Sequence, residues 1–430
     1  MTRKKRIRKR WPAVAAAIAG TALLLALAFN LSIGDKKVDT VVPALYGVED
    51  EQFVRTMSVM LGPPILNGNR TATLVNGDQI FPAILEALRG ARRTITFEMY
   101  IYWSGRIGKA FADVLSERAR AGVKVHVLID GVGSGKIDDE FIEQMKRAGV
   151  EVERYNPPHP LKIGRLNNRT HRKTIVVDGV IGFTGGVGIA DQWLGNAQDP
   201  QHWRDTHFRV EGPVVAQLQS AFMDNWTEVT GKVMHGPQYF PRLEPAGPHR
   251  AQVFTSSPGG GADSMQLMYL LSIAAARSEI ALSAAYFVPD NVEVNTIVAA
   301  LRRGVRVRII VPGLHSDSEL VRRASRARWG ELLEAGAEIY QYEPTMFHCK
   351  VMVVDGLWTS VGSTNFDNRS FAVNDEANLN VYDREFAREQ MRIFEADLKR
   401  ARRVTLDEWR ARPWTEKLSE HAVSLFGSQL

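Results

Sequence analysis

A histidine and a lysine two residues apart can act together on a phosphate, and this chain carries that pair twice. His171 and Lys173 are followed by Asp178 and Gly185; His348 and Lys350 are followed by Asp355 and Gly362. Both copies have the spacing His-x-Lys-x4-Asp-x6-Gly. On a strand, residues i and i+2 point to the same face, so each pair can converge on one ligand. Imidazole can attack phosphorus or move a proton near neutral pH. An ammonium group beside it can hold phosphate oxygens as charge develops. One such pair is ordinary on an exposed strand; two at matched positions are not. Asp178 and Asp355 stand at odd parity from their histidines and at a turn, which predicts a structural role on turn backbone. The acids expected to orient the imidazoles are Asp205, in Arg-Asp-Thr-His-Phe-Arg-Val, and Glu376, in Asp-Glu-Ala-Asn-Leu-Asn-Val, with Asp375 as the alternative to Glu376.

Two repeated stretches must carry these residues. Ala91–Gly131 and Ala276–Gly313 each read as an apolar strand, an amphipathic helix and a second apolar strand. Gly122 and Gly304 suit helix C-termini. Near-continuous apolar strands around a helix predict parallel sheet covered on both faces. The Asp-Gly pairs 178–179 and 355–356 read as tight turns between strands. The predicted fold is α/β, with two similar lobes of mixed, mostly parallel sheet flanked by helices over 45–232 and 248–400. Pseudo-twofold symmetry would place the site at their seam. Residues 233–247, with three prolines and two glycines, read as a linker.

The 430 residues are 45% hydrophobic and 24% charged, an ordinary globular balance. The formal charge of +6 is concentrated at the start. Residues 1–10 hold seven basic side chains and no acid, and without those seven charges the remainder stands at −1. A body without excess positive charge lacks the electrostatic footprint of a nucleic-acid binder. Residues 11–33 are uncharged and read as a transmembrane anchor, with a cleaved signal peptide as the rival. The basic run before them places 1–10 in the cytoplasm and the catalytic body outside it. The single cysteine, Cys349, excludes an intrachain disulfide framework. Residues 401–430 read as a helical tail whose Leu418, Ala422, Leu425 and Phe426 share one side, to lie on a membrane or dock on the body.

These motifs resemble the phospholipase D superfamily, whose signature is the duplicated His-Lys-Asp pattern, over roughly residues 48–400. The chain is most similar to bacterial cardiolipin synthases. The similar stretches are Phe97–Tyr102, Asp130–Ser134, His171–Lys173 with Phe183–Gly186, Tyr286–Asp290 and Gly362–Phe371. The resemblance implies a phosphatidyltransferase that makes cardiolipin from phosphatidylglycerol in the membrane, without metal or other cofactor. One histidine, His171, would form a phosphohistidine, and His348 would serve as general acid and then base. The acid after each motif would support the histidine of the other, pairing Glu376 with His171 and Asp205 with His348. Both motifs lie in one chain, so a monomer suffices. Hydrolysis of phospholipids and, further off, cleavage of a nucleic-acid phosphodiester are the rival activities. The halves differ in one respect: Ser363 and Asn365, expected phosphate contacts, face Gly186 and Gly188 at the equivalent places of the first half. Weaker signals are the glycine-rich run Pro258–Gly261, Glu98 as a site acid or a paired core acid, and Tyr100, Trp103, Tyr286 and Phe287 as an acyl entrance or core.

Overall fold

A computed structural model describes residues 3–31, 38, 40–157, 168–258 and 265–424. Gly259–Gly261, residues 32–33, Leu425 and Phe426 lie outside these residues, as does the side chain of Ala422.

The strands of the first half are β1 (Leu66–Val75), β2 (Thr94–Met99), β3 (Lys124–Asp130), β4 (Glu151–Tyr155), β5 (Arg169–Thr170), β6 (Thr174–Val177), β7 (Ile181–Gly185) and β8 (Thr206–Glu211). Those of the second are β9 (His249–Ser256), β10 (Glu279–Ala284), β11 (Phe287–Val288), β12 (Arg306–Pro312), β13 (Glu338–Tyr342), β14 (Lys350–Val354), β15 (Trp358–Gly362), β16 (Phe366–Asp367), β17 (Asn374–Tyr382) and β18 (Ala401–Val404). One sheet runs through both halves in the order β18-β13-β12-β10-β14-β15-β17-β9-β1-β8-β7-β6-β2-β3-β4, closed across the middle by the antiparallel pair β1–β9.

The sheet is mixed, but it is not mostly parallel. Parallel pairing is confined in the main to β2-β3-β4 and β10-β12-β13, the strand–helix–strand units seen in the sequence. The inner strands are antiparallel because the Asp178-Gly179 and Asp355-Gly356 turns fold β6 onto β7 and β14 onto β15. All four turn residues have positive φ, 53° and 70° in the first turn, 51° and 60° in the second, a backbone that Asp and Gly tolerate.

Local signals account for the crossover helices. Arg106–Arg120 takes its N-terminal cap from the Asp191 carboxylate, which accepts the N–H groups of Arg106 (3.0 Å) and Ile107 (2.9 Å). Asn291–Arg302 starts on a capping box between Asp290 and Glu293. Each helix ends just before a left-handed glycine, Gly122 (φ 89°) and Gly304 (φ 91°). Strands β2 and β10 are buried along almost their whole length by helices on both faces. A third core of Val210, Leu218, Val253, Val361 and Leu379 packs between the halves. Residues 233–247 are not a free linker: Tyr239 is buried with its hydroxyl 2.8 Å from His126 Nε2, and the Ala246 N–H bonds the Gly68 carbonyl.

Residues Arg3–Leu31 form one helix. Among the described residues, no helix is long and apolar enough to cross a membrane. The transmembrane expectation for 11–33 is therefore not supported. The helix opens on the basic run, so seven charged residues from Arg3 to Arg10 are part of its first turns. Trp11, Ile18 and Leu24 on it are exposed. The tail helix Trp414–Ser424 docks on the helix Glu319–Ala327 through Arg326–Glu420 (3.6 Å) and the apolar contact of Val423 with Val321 and Ala324.

Candidate active site

Both His-x-Lys tripeptides stand at the entrance of a strand rather than inside one. His171–Lys173 fill the break between β5 and β6, and His348 lies two residues before β14. Their backbone is held by the other half of the chain instead of by its own ladder. The His171 N–H donates to the Asp375 carbonyl (2.9 Å) and the His348 N–H donates to the Arg204 carbonyl (2.8 Å). In each case the acceptor is the residue just before an acid. Arg204 is locked in turn by a buried bidentate pair with Asp397, at 2.9 and 2.8 Å.

That backbone exchange delivers each acid to the opposite histidine. The Glu376 oxygens both lie 3.0 Å from His171 Nδ1, and Asp205 Oδ2 lies 2.7 Å from His348 Nδ1. All four side chains are buried. Burial alone would raise both carboxylates. For Glu376, His171, Lys173 and the Ser363 hydroxyl overcome it and hold the group at about 2. For Asp205, His348, Lys350 and the Thr206 N–H hold it below the usual range. An ionised carboxylate only accepts, so each imidazole carries its proton on Nδ1 and leaves Nε2 with its lone pair. Burial, with some help from Lys173, pushes His171 down to about 4 despite Glu376. Burial and Lys350 push His348 below its ordinary value against the pull of Asp205. Both rings are thus neutral at rest.

Each lysine folds back on its own histidine. Lys173 Nζ donates to the His171 carbonyl (2.7 Å) and Lys350 Nζ to the His348 carbonyl (2.8 Å), the latter also 3.2 Å from both His348 ring nitrogens. Burial lowers Lys173 to about 7, and the Lys350 cation adds to that while Glu376 and Asp205 oppose it. Lys350 is lowered by burial too. Two lysines, two imidazoles and two carboxylates from both halves form one electrostatic unit. It can hold an anion, offer a neutral nitrogen nucleophile and move a proton. Among the described residues, no group of three or more His, Cys, Asp or Glu side chains is placed to hold a metal ion.

The motif aspartates lie away from this unit. Asp178 accepts the backbone N–H groups of Arg92 (2.9 Å), Arg93 (2.7 Å) and Thr94 (2.9 Å). Asp355 accepts those of Arg277 (2.7 Å), Ser278 (2.8 Å) and Glu279 (2.9 Å). The backbone they satisfy is thus the lead into β2 and β10, not the turn on which they sit. Gly185 and Gly362 are required by close approach: a Cβ would overlap His207 at the first and the Ala377 carbonyl and Asn378 at the second. Those neighbours belong to the strands that present Asp205 and Glu376.

The asymmetry of the halves has a clear structural form. Ser363 turns its hydroxyl onto Glu376 Oε2 (2.5 Å) and takes the Ala377 N–H (3.0 Å), so its proton goes to the carboxylate rather than to the pocket. Asn365 Oδ1 is buried and has no hydrogen-bond partner among the described residues. At Gly186, the place equivalent to Ser363, a Cβ would overlap the Asp205 carboxylate. Asp205 draws its second donor from elsewhere, the indole N–H of Trp193 (2.9 Å).

Several contributors carry no repeated signature and were not among the expected residues. Trp193 and Trp203 wall His348, with ring centroids at 5.3 and 5.6 Å. Arg172, on the opposite face from its two neighbours, is fully buried and bonds the Ala221 and Glu376 carbonyls and Asp224. Asp130 accepts Val132, Gly133 and Thr170 N–H groups, fixing the loop beside His171. Of the weaker signals, Glu98 is a paired core acid: it accepts from Thr170 (2.5 Å) and Asn225 (2.7 Å), and burial raises it to about 7. The Tyr100 ring meets His171 edge-on at 4.9 Å, and Tyr286 bonds Asp317. Trp103 bonds the Gly133 carbonyl, whereas Phe287 stacks on Phe366 in the core.

Comparison with known proteins agrees with this arrangement. The family model described as cardiolipin synthase, PLD-like domain, matches twice, over residues 84–226 and 269–398. A cardiolipin synthase of Geobacillus kaustophilus (strain HTA426) is 35% identical over 85% of this chain and 74% of its own length. Cardiolipin synthase 2 of Bacillus anthracis is 34% identical over 84% and 70%. The crystal structure of phosphatidylserine synthase from Haemophilus influenzae Rd KW20 shares the fold, with a TM-score of 0.65 at 14% identity over 88% of this chain and all of that one. The chain therefore belongs to the cardiolipin synthase family of phospholipase D-like proteins, and it is an enzyme of the phospholipase D superfamily.

Proposed function

We propose that this enzyme transfers a phosphatidyl group from one phosphatidylglycerol to the alcohol of a second, making cardiolipin and releasing glycerol. The crossed pairs His171–Glu376 and His348–Asp205, each with its own lysine, carry the reading. His171 Nε2 attacks phosphorus, forming a P–N bond as the P–O bond to glycerol breaks. Arrival of the phosphodiester anion raises the His348 imidazole toward its charged form, and that proton goes to the departing alkoxide. His348 then takes the proton of the incoming hydroxyl, whose oxygen displaces His171 and restores the ring. Glu376 stabilises the charge that appears on His171, and Lys173 and Lys350 balance the phosphoryl oxygens. Asn365 is our candidate for a further polar contact to the substrate.

The strand order read inward from β4 and from β13 is the same up to the β1–β9 junction, which supports reading the halves as a pseudo-twofold pair with the site on the axis. Exposed Trp11, Ile18 and Leu24 behind a basic run support a helix held at a lipid surface. Protein lacking residues 1–33 that still sediments fully with lipid vesicles would exclude that role for the helix.

The test of function is incubation of purified protein with labelled phosphatidylglycerol. Labelled cardiolipin with free glycerol is expected; phosphatidic acid as sole product would make the enzyme a hydrolase. A covalent label, trapped by quenching in detergent, should vanish in His171→Ala. Label retained there and absent from His348→Ala would exchange the two roles.

A further inference from the structure

The two carboxylates of the site are supported differently. Glu376 receives its extra proton from Ser363, a hydroxyl that can rotate about its own bond. Asp205 receives it from Trp193, a rigid ring that is fully buried. The same oxygen, Asp205 Oδ2, takes the indole N–H at 2.9 Å and the His348 Nδ1–H at 2.7 Å. The other oxygen takes the Thr206 N–H at 2.8 Å. The indole is also a wall of the imidazole, and Trp203 packs on it with centroids 4.5 Å apart.

This ring is held by its own stretch of chain. Trp193 ends the short turn Asp191–Trp193. Asp191 caps the helix Arg106–Arg120, Gln192 accepts the Trp203 N–H (2.7 Å), and a Cβ at Gly77 would overlap the Trp193 carbonyl.

We propose that Trp193 is a positioning residue for His348: its indole N–H shares the Asp205 oxygen that holds the imidazole, fixing the ring's angle and weakening the carboxylate's hold on its proton. A donor on Oδ2 draws charge away from the His348 hydrogen bond, so the imidazolium is a stronger acid than a free carboxylate partner would leave it. The inference rests on His348 acting as the general acid and deepens that reading. The charged and titratable groups facing the dyad are Lys350 and Asp317 toward His348, and Lys350, Lys173, His207 and Cys349 toward Asp205. Trp193→Phe changes none of them.

The experiment compares Trp193→Phe with the native full chain on phosphatidylglycerol and on a p-nitrophenyl phosphodiester, whose phenolate leaves without a proton. Loss of a hydrogen bond to a charged group predicts about a tenfold to hundredfold fall in kcat on the lipid. The fall on the activated ester should be under about threefold, as general-acid help is not needed there. The alkaline limb of kcat on the lipid should move upward, because His348 holds its proton more tightly. In an Asp205→Asn background the same substitution should cost under about threefold more. Equal losses on both substrates with the limb unmoved, or a full further loss in the Asp205→Asn background, would overturn the proposal and leave Trp193 a packing residue. Should Trp193→Phe not fold, Trp193→Met, whose side chain carries no hydrogen-bond donor, serves the same comparison. If His348→Ala itself loses both substrates equally, the general-acid reading falls and this inference with it; failure of the tryptophan variants alone leaves that reading standing.

Discussion

Replacing Glu376 by glutamine tests the charge that the crossed geometry brings to His171. The substitution keeps the side chain's length and removes its charge. In the native site both carboxylate oxygens stand 3.0 Å from His171 Nδ1, which puts the centres of charge about 4 Å apart once the ring becomes cationic. At an effective permittivity of about 20, unit charges at that distance attract by about 4 kcal/mol. Each ~1.4 kcal/mol is tenfold in rate. The attraction is absent while the ring is neutral and present once His171 has attacked phosphorus, so it lowers the barrier rather than the ground state. Covalent phosphatidyl-enzyme should therefore form about a thousandfold more slowly in Glu376→Gln. The carboxamide can also turn its own N–H groups to Nδ1 and reverse the tautomer, which adds to the loss. Rapid mixing with radiolabelled phosphatidylglycerol, quenched in detergent at successive times, measures the rate directly. Formation within about threefold of the native rate would refute the reasoning, since the charge would then play no part in the attack.

The pH profile of kcat/KM, which reports the free enzyme, should be bell-shaped. Burial sets His171 at about 4, so the neutral nucleophile is present above that pH; the alkaline side carries two losses, the proton of His348, which burial and Lys350 hold below its ordinary value, and the cation of Lys173, which burial sets at about 7. Lys173→Arg, which keeps its charge, should remove the second of these losses and leave the His348 limb alone; a native plateau extending beyond pH 9 would exclude the assignment. Asp178→Asn and Asp355→Asn each weaken three backbone hydrogen bonds far from the reacting groups. Each should lower stability by about 1–3 kcal/mol in urea denaturation while the folded fraction keeps native kcat.

Much of this protein was legible in its sequence because the relevant forces are local. Apolar strands, amphipathic helices ended by Gly122 and Gly304, and the Asp-Gly turns follow from neighbours within a few residues. The duplicated His-x-Lys pattern likewise pointed to the phospholipase D superfamily without any knowledge of the fold. What the sequence did not decide depends on contacts between distant segments. The sheet is mainly antiparallel because strand direction is settled by which strands meet, and β1 meets β9 only across the two halves. Parity placed His171 and Lys173 on a strand face, yet the structure takes them out of the ladder, since the His171 N–H is bound to Asp375 of the other half. The partner of each histidine came from family resemblance and not from spacing, because the two acids lie 205 and 143 residues from the imidazoles they meet. Ser363 read as a phosphate contact because its type suits one; its hydroxyl instead goes to Glu376, a nearer and stronger acceptor. Trp193 has no counterpart in the repeat, and only tertiary packing could show that its N–H reaches Asp205. Residue types and their repetition picked out the groups that the fold brings together. The register between the halves decided which carboxylate serves which histidine, because a hydrogen bond near 3 Å between residues so far apart is fixed by the packing of whole strands.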